Sequence, residues 1–377
     1  MTALLLQGRV LTPRLELALA TVLVNGERVA WVQPGRVDVP GSTMLTKVGD
    51  TIAPGFIDLQ VNGLAGRDTA SGANAITAIS HDLPRFGVTG FLPTLISRPL
   101  DEAVAFVRAS AAASAPGARV LGAHIEGPFL NPRYRGAHDP EFLLDPTADH
   151  VQKLLELPPR LVTLAPELPG ALEAVRKLTA AGVVVSAGHS AAAFAEGQAG
   201  IEAGIRFGTH LFNAMAPLHH REPGLPGALL GDERVTIGLI ADGVHVHPSM
   251  LRLAIRLAGP ARVALTTDQT AAAGSPPGRY MIAGRENISD GTAVRLAEGT
   301  LAGSVATMDQ LVRLVASLPG FDLRDAVEMA SLTPAHVLGM QRKVGAIRGG
   351  AFADLVVLDP EQQVRLTLVG GKVVFHA

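Results

Sequence analysis

Eight short apolar runs punctuate residues 55–268, separated by longer Ala/Leu-rich stretches of helical period. The runs are GFIDLQ, GVTGFLPT, RVLGAHIE, LVTLAPE, VVVSAGH, RFGTHLF, VTIGLIAD and RVALTTD. Helices are expected at 73–86, 100–114, 170–181, 191–203 and 305–318. Strands that alternate with helices argue for a parallel sheet, and eight repeats argue for a closed one. The expected class is therefore α/β, a (β/α)8 TIM-like barrel over residues 53–344.

The two ends of the chain read differently. Residues 1–52 contain LLLQGRVLT, ATVLVNG and RVAWVQPG, broken by Gly, Pro and Asn-Gly turn signals. Residues 345–377 repeat the pattern with ADLVVLD and VRLTLVGGKVVFHA. Neither end could bury a core alone, so the expectation is one small composite β-sandwich built from both. The composition, 47% hydrophobic and 18% charged, is that of a compact chain rather than a disordered one. A net charge of −2 gives no global field for nucleic acid or an acidic membrane. The N-terminus lacks the basic region of a signal peptide, and no run reaches the roughly 18 apolar residues of a membrane span. The absence of cysteine excludes disulfides, thiolate metal sites and Cys nucleophiles. The expectation is a cytoplasmic protein.

Six residues able to bind a metal or move a proton stand at or near the ends of these runs: Gln60, Glu126, His189, His210, Asp242 and Asp268. The C-terminal strand ends of a barrel open onto one face, so residues scattered along the chain would converge there. One histidine at a strand end is ordinarily a hydrogen-bonded polar residue. Glu126, His189 and His210 in matching positions are harder to explain that way. One carboxylate and two neutral imidazoles with an open fourth position is the pattern of catalytic zinc. Iron(II), manganese or cobalt would suit the same donors. Asp268 suits a group that takes a proton from water and returns it to a leaving amine; its plain alternative is a turn or helix cap in TTDQTAAAG.

These residues resemble the amidohydrolase superfamily and, within it, the family of N-acetylglucosamine-6-phosphate deacetylases. The resemblance runs through APGFIDLQVNG (53–63), GAHIEGPFLNP (122–132), RGAHDPEF (135–142), SAGHS (186–190), GTHLFNAMAPLHHREPGLPGALL (208–230), IADGVHVHP (240–248), TTDQTAAAG (266–274) and GTLAGSVATM (299–308). It implies one divalent metal per subunit on Glu126, His189 and His210, with zinc the expected ion, and Asp268 as acid/base. It also implies that His138 contacts the acetyl carbonyl or the sugar, beside Ala137. Asn213, Ala214, Arg221 and His245 match residues that bind phosphate and sugar. Leu301, Ala302 and Gly303 match a segment that closes over the substrate. The implied partners are an amino-sugar phosphate and a second copy of the chain, with Arg221 reaching the neighbouring subunit's site. No nucleic acid or membrane is implied. His247, His219 and His220 are assigned no role.

The first strand departs from the superfamily. Many members carry a His-x-His metal clamp where this chain has Gln60, Val61 and Asn62. Neutral amides are poor ligands for a tightly held divalent ion but good hydrogen-bond partners. The first metal position should then be weak or empty, with Gln60 and Asn62 orienting the other site from behind. Two further readings stay open: a deacetylase for an epimeric amino-sugar phosphate or another amidohydrolase, and a barrel that has lost catalysis and serves as a binding protein.

Overall fold

The computed structural model describes residues 3–12 and 15–377; Met1, Thr2, Pro13 and Arg14, which the N-terminal readings include, lie outside the described residues. The eight apolar runs form eight parallel strands in sequence order. They are β1 (Phe56–Val61), β2 (Val88–Leu95), β3 (His124–Glu126), β4 (Leu161–Leu164), β5 (Val184–Ala187), β6 (Phe207–Gly208), β7 (Thr236–Leu239) and β8 (Val263–Leu265). Each is hydrogen-bonded to the next around a (β/α)8 barrel.

The seam between β1 and β8 is closed by single contacts rather than a ladder. Val61 bridges Gln269, and Asn62 N–H donates to the Gln269 carbonyl at 2.9 Å. One layer lower, Asp58 accepts from Thr267 Oγ1 at 2.6 Å and from Thr266 Oγ1 at 3.2 Å. Burial, only partly offset by these neutral donors, pushes the Asp58 carboxyl up to about 6.

All five expected helices are present: Ala73–Asp82, Leu100–Ala112, Ala171–Ala180, Phe194–Ala203 and Met308–Ser317. Their inward faces carry Ile79, Phe106, Leu178, Ile201 and Leu311, which pack on Phe91, Ile125, Val162, Val185 and Leu265 of the strands. Each such side chain contributes about 1.5–3 kcal/mol by leaving water. The helix Pro248–Ala258 was not expected. His247 Nδ1 accepts the Ser249 N–H to start it, Pro248 fits its first turn, and Gly259 at φ 76° ends it. A second unexpected helix, Gly224–Gly231, hides in a sequence rich in Gly and Pro. So does a small antiparallel sheet, Gly278–Ile282, Arg285–Ser289 and Val294–Arg295, inserted after β8.

The two ends of the chain meet in one eight-stranded sheet. Thr51–Pro54 pairs antiparallel with Leu355–Leu358 and parallel with Leu4–Thr12, so the C-terminal strands join the N-terminal strands edge to edge at its centre. Gly370 and Gly371, at φ 54° and 69°, form the tight turn between Val364–Val369 and Lys372–His376 that only residues tolerant of positive φ allow. This sheet has its own apolar cluster, including Leu6, Val22, Ile52, Leu355 and Leu368. That separate cluster favours the proposed division into 1–52 with 345–377 and 53–344. The two parts are tied by Arg119, whose guanidinium holds both oxygens of the buried Asp354 at 2.9 and 3.1 Å.

Candidate active site

The strand ends deliver a tight cluster. Glu126 Oε1 lies 3.1 Å from His189 Nε2 and 2.9 Å from His210 Nε2, and the two imidazole nitrogens are 3.2 Å apart. His189 Nδ1 donates to the Tyr134 carbonyl at 2.9 Å, so its Nε2 presents a lone pair to the centre. Burial opposes the Glu126 carboxylate, but the neighbouring His189 and His210 outweigh it and hold its pKa well below the ordinary range. Burial likewise opposes the His210 imidazolium, yet Glu126 and Asp268 raise its pKa. Three electron-rich atoms thus face one point, a carboxylate oxygen and two imidazole nitrogens that suit a divalent cation. Donor atoms on a tetrahedral ion with bonds of about 2.0–2.1 Å stand about 3.3 Å apart, close to the observed triangle. The residues present fit a metal.

His138 comes near enough to compete, since one of its ring nitrogens, a Glu126 carboxylate oxygen and a His189 ring nitrogen lie within 4.8 Å of one another. Its tautomer argues against ligation. Nδ1 accepts the Ser97 N–H at 3.1 Å, which leaves the hydrogen on Nε2, 3.8 Å from Glu126 Oε2. Burial, then the neighbouring His189, keeps the ring's pKa well below its usual value and the ring neutral. His138 therefore offers a hydrogen-bond donor to the cavity, not a lone pair.

Asp268 stands beside the triangle. Its Oδ1 accepts from Gln60 Nε2 at 2.9 Å and from Asn62 Nδ2 at 2.7 Å. The Gln60 amide also donates to Glu126 Oε1 at 3.0 Å, so one amide links the two carboxylates. Alternation along β1 turns Asp58, Gln60 and Asn62 to the same side, the barrel interior. Burial, followed by the charge of Glu126, raises the Asp268 carboxyl into the range where it can exchange protons near neutrality. Asp268 forms no cap.

Three of these residues sit on strained backbone. His189, His210 and Asp268 have φ of 51°, 29° and 49°, left-handed values that side chains other than glycine rarely adopt. Each costs about 1–3 kcal/mol and persists only where neighbouring contacts enforce it. Just past each strand end, the bend turns the side chain from the barrel wall into the cavity.

The cavity above them is about 470 Å³. Asn62, Glu126, Ala137, His138, His189, His210, Asn213, Ala214, His245, Asp268, Leu301, Ala302 and Gly303 all line it. Gln60 lies under its floor. Arg221 does not line it; exposed, it pairs with its neighbour His220 at 2.8 Å. Asp242 does not face the triangle of Glu126, His189 and His210 but holds His245, accepting from its Nδ1 at 2.7 Å and from the backbone N–H of Val244 and His245. Burial works against the Asp242 carboxylate, and these bonds still leave its pKa below the ordinary value. His245 is thereby fixed with Nε2 free to meet a ligand. Sequence reasoning missed Arg133, Tyr134 and Ile282, which also line the cavity, and Ser97, which sets the His138 tautomer. Arg133 and Tyr134 lie inside a stretch that reads as ordinary loop. Ile282 belongs to the unexpected inserted sheet, whose Arg285 donates to the Ala137 carbonyl at 2.6 Å.

Residues 51–374 match the model of the amidohydrolase family. The chain belongs to the amidohydrolase family. Among relatives in this family, it is 38% identical over 374 residues to the N-acetylglucosamine-6-phosphate deacetylase of Danio rerio, covering 92% of each chain. It is also 38% identical over 330 residues to the N-acetylgalactosamine-6-phosphate deacetylase of Escherichia coli O157:H7, covering 86% of this chain and 87% of that one. Its fold superposes with a TM-score of 0.93 on a mutant Mycobacterium smegmatis N-acetyl-D-glucosamine-6-phosphate deacetylase in complex with N-acetyl-D-glucosamine-6-phosphate. That pair shares 33% identity, over 99% of this chain and 100% of the other.

Proposed function

We propose that this amidohydrolase removes the acetyl group of N-acetylglucosamine 6-phosphate, giving glucosamine 6-phosphate and acetate in cytoplasmic amino-sugar catabolism or recycling. The observation that carries the reading is the convergence of Glu126, His189 and His210 beside a proton-exchanging Asp268, all on one cavity. A single divalent cation, zinc in our reading, held by those three residues would supply an activated water and polarise the acetyl carbonyl. Asp268 takes one proton from the attacking water as its oxygen bonds to the acetyl carbon. His138 Nε2–H donates to the carbonyl oxygen as negative charge develops there. Asp268 then returns the proton to the nitrogen as the C–N bond breaks, so the products are a free amine and acetic acid, which ionises to acetate.

Recognition of the sugar phosphate is assigned to the rim. His245 Nε2, the Asn213 amide and the Ala214 backbone face the cavity where the phosphate would lie. Leu301, Ala302 and Gly303 cover the sugar. Arg221, exposed and outside its own cavity, is free to serve the site of a second subunit, where a guanidinium can bind phosphate in two-pronged fashion. This favours a homodimer. Among the described residues no helix is long and apolar enough to cross a membrane.

The Escherichia coli relative supports a second reading, in which the galacto epimer is the substrate. Acetate release from both sugar phosphates, from unphosphorylated N-acetylglucosamine and from a chelator-treated sample separates the two. Our reading expects turnover of the gluco phosphate to dominate, to vanish with chelator and to return with zinc. Preference for the galacto epimer would move the assignment to the second reading. Turnover that survives complete metal removal would overturn the mechanism.

A further inference from the structure

His189 holds a left-handed backbone with its Nε2 aimed at the metal donors, and something must hold it there. The residues on either side point to Glu167, three residues beyond β4 and half-buried. Its Oε1 accepts from Asn131 Nδ2 at 3.0 Å and from the Ala191 N–H at 2.6 Å. Its Oε2 accepts from Ser190 Oγ at 2.7 Å. Asn131 belongs to the loop that follows Glu126; Ser190 and Ala191 follow His189 directly. The same two loops are stitched again around the imidazole, by Asn131 N–H to the His189 carbonyl at 3.0 Å and by His189 Nδ1 to the Tyr134 carbonyl. Ser190 N–H in turn donates to the Ala214 carbonyl at 3.1 Å, tying in the loop after His210.

We infer that Glu167 is a positioning residue for the metal site: its carboxylate clamps the loops after Glu126 and His189 together and so fixes the direction of the His189 lone pair. The inference rests on reading Glu126, His189 and His210 as the metal donors. Three donors meet this carboxylate and all are neutral, so its work is geometric rather than charge neutralisation. An acceptor is what the position requires. Glutamine can supply one through its amide oxygen, keeping both N–H bonds and turning its NH₂ toward Ser190 Oγ. Alanine leaves a hydroxyl and two N–H donors without a partner.

The test follows release of cobalt(II) from loaded protein after adding excess chelator, together with the visible spectrum of the bound ion. Supporting partners of metal ligands typically carry about 10–100-fold in metal affinity. Glu167→Ala is expected to release cobalt at least about tenfold faster with an altered spectrum, and Glu167→Gln within about threefold of the parent. Val315→Ala, a core variant in a distant helix, is expected to melt lower yet release at the parent rate. A folded Glu167→Ala with the parent's spectrum and release rate overturns the clamp. Equal acceleration in Val315→Ala also overturns it, since the effect would then be global. Should Glu167→Ala fail to fold, Ser190→Ala removes one donor to Glu167 together with the acceptor of the Ala192 N–H at 3.0 Å, and parent-like release from it overturns the clamp as well. A parent protein that takes up no cobalt removes the metal reading itself, and the clamp with it.

Discussion

Two sets of side chains share the mouth of the barrel, and they differ in what they hold out. Glu126, His189 and His210 present an oxygen and two ring nitrogens to one point, with separations of 2.9–3.2 Å. Gln60 and Asn62, on β1, present N–H donors and spend them on Glu126 and Asp268. The first set offers lone pairs that suit a cation; the second turns its N–H groups on the two carboxylates. The difference teaches that the amides on β1 are not a failed copy of a metal clamp. They hold the two carboxylates, Glu126 and Asp268, to which the proposed mechanism gives the metal and the proton.

The largest test of this division falls on Asp268, which both amides hold beside the first set. Asp268→Asn keeps the shape and leaves the three donors untouched. Turnover should fall by about 10²–10⁴-fold while metal content by mass spectrometry stays at the parent value. Substantial remaining turnover would remove Asp268 from the proton-transfer role.

A smaller effect is expected from the amides. Gln60→Leu fills the same space without the hydrogen bonds to Glu126 and Asp268. A drop of about 10–100-fold in kcat, with metal content again unchanged, would place Gln60 as an orienting group. Loss of the metal instead would show that Gln60 belongs with the first set.

How much of this was legible beforehand follows from where the information sits. The eight strands are buried on both faces, so they read as apolar runs, and their ends mark the donors. Glu126, His189, His210 and Asp268 were visible for that reason alone. Glu167 also ends a run, LVTLAPE, but its role, like that of Ser97, exists only where loops distant in sequence touch. The helix Gly224–Gly231 was masked by its Gly and Pro content, which packing of Leu225 and Leu229 overrides. The seam between β1 and β8 was hidden too, since it depends on Asp58 meeting Thr266 and Thr267 across the barrel.

The smallest expected effect lies at that seam, directly below Gln60. The folded chain raises the Asp58 carboxyl from its unfolded range to about 6. The folded state therefore binds the extra proton more tightly, and Asp58 favours folding at low pH but loses that contribution as pH rises through about 6. Urea unfolding of the parent and of Asp58→Asn at pH 5 and pH 8 isolates the group. The parent should lose on the order of 1 kcal/mol relative to the variant between the two conditions. A pH-independent difference would mean that Asp58 stays ionised throughout and closes the barrel as a charged group.

The central claim is that the chain carries one metal position, because the amides on β1 have replaced the second. Metal content of the purified protein, loaded with excess zinc and freed of loose ion by gel filtration, tests it most directly. One zinc per chain, with about one site retained in Gln60→Leu and none in a variant lacking both His189 and His210, is the expected result. Two zinc ions per chain in the parent would contradict the account.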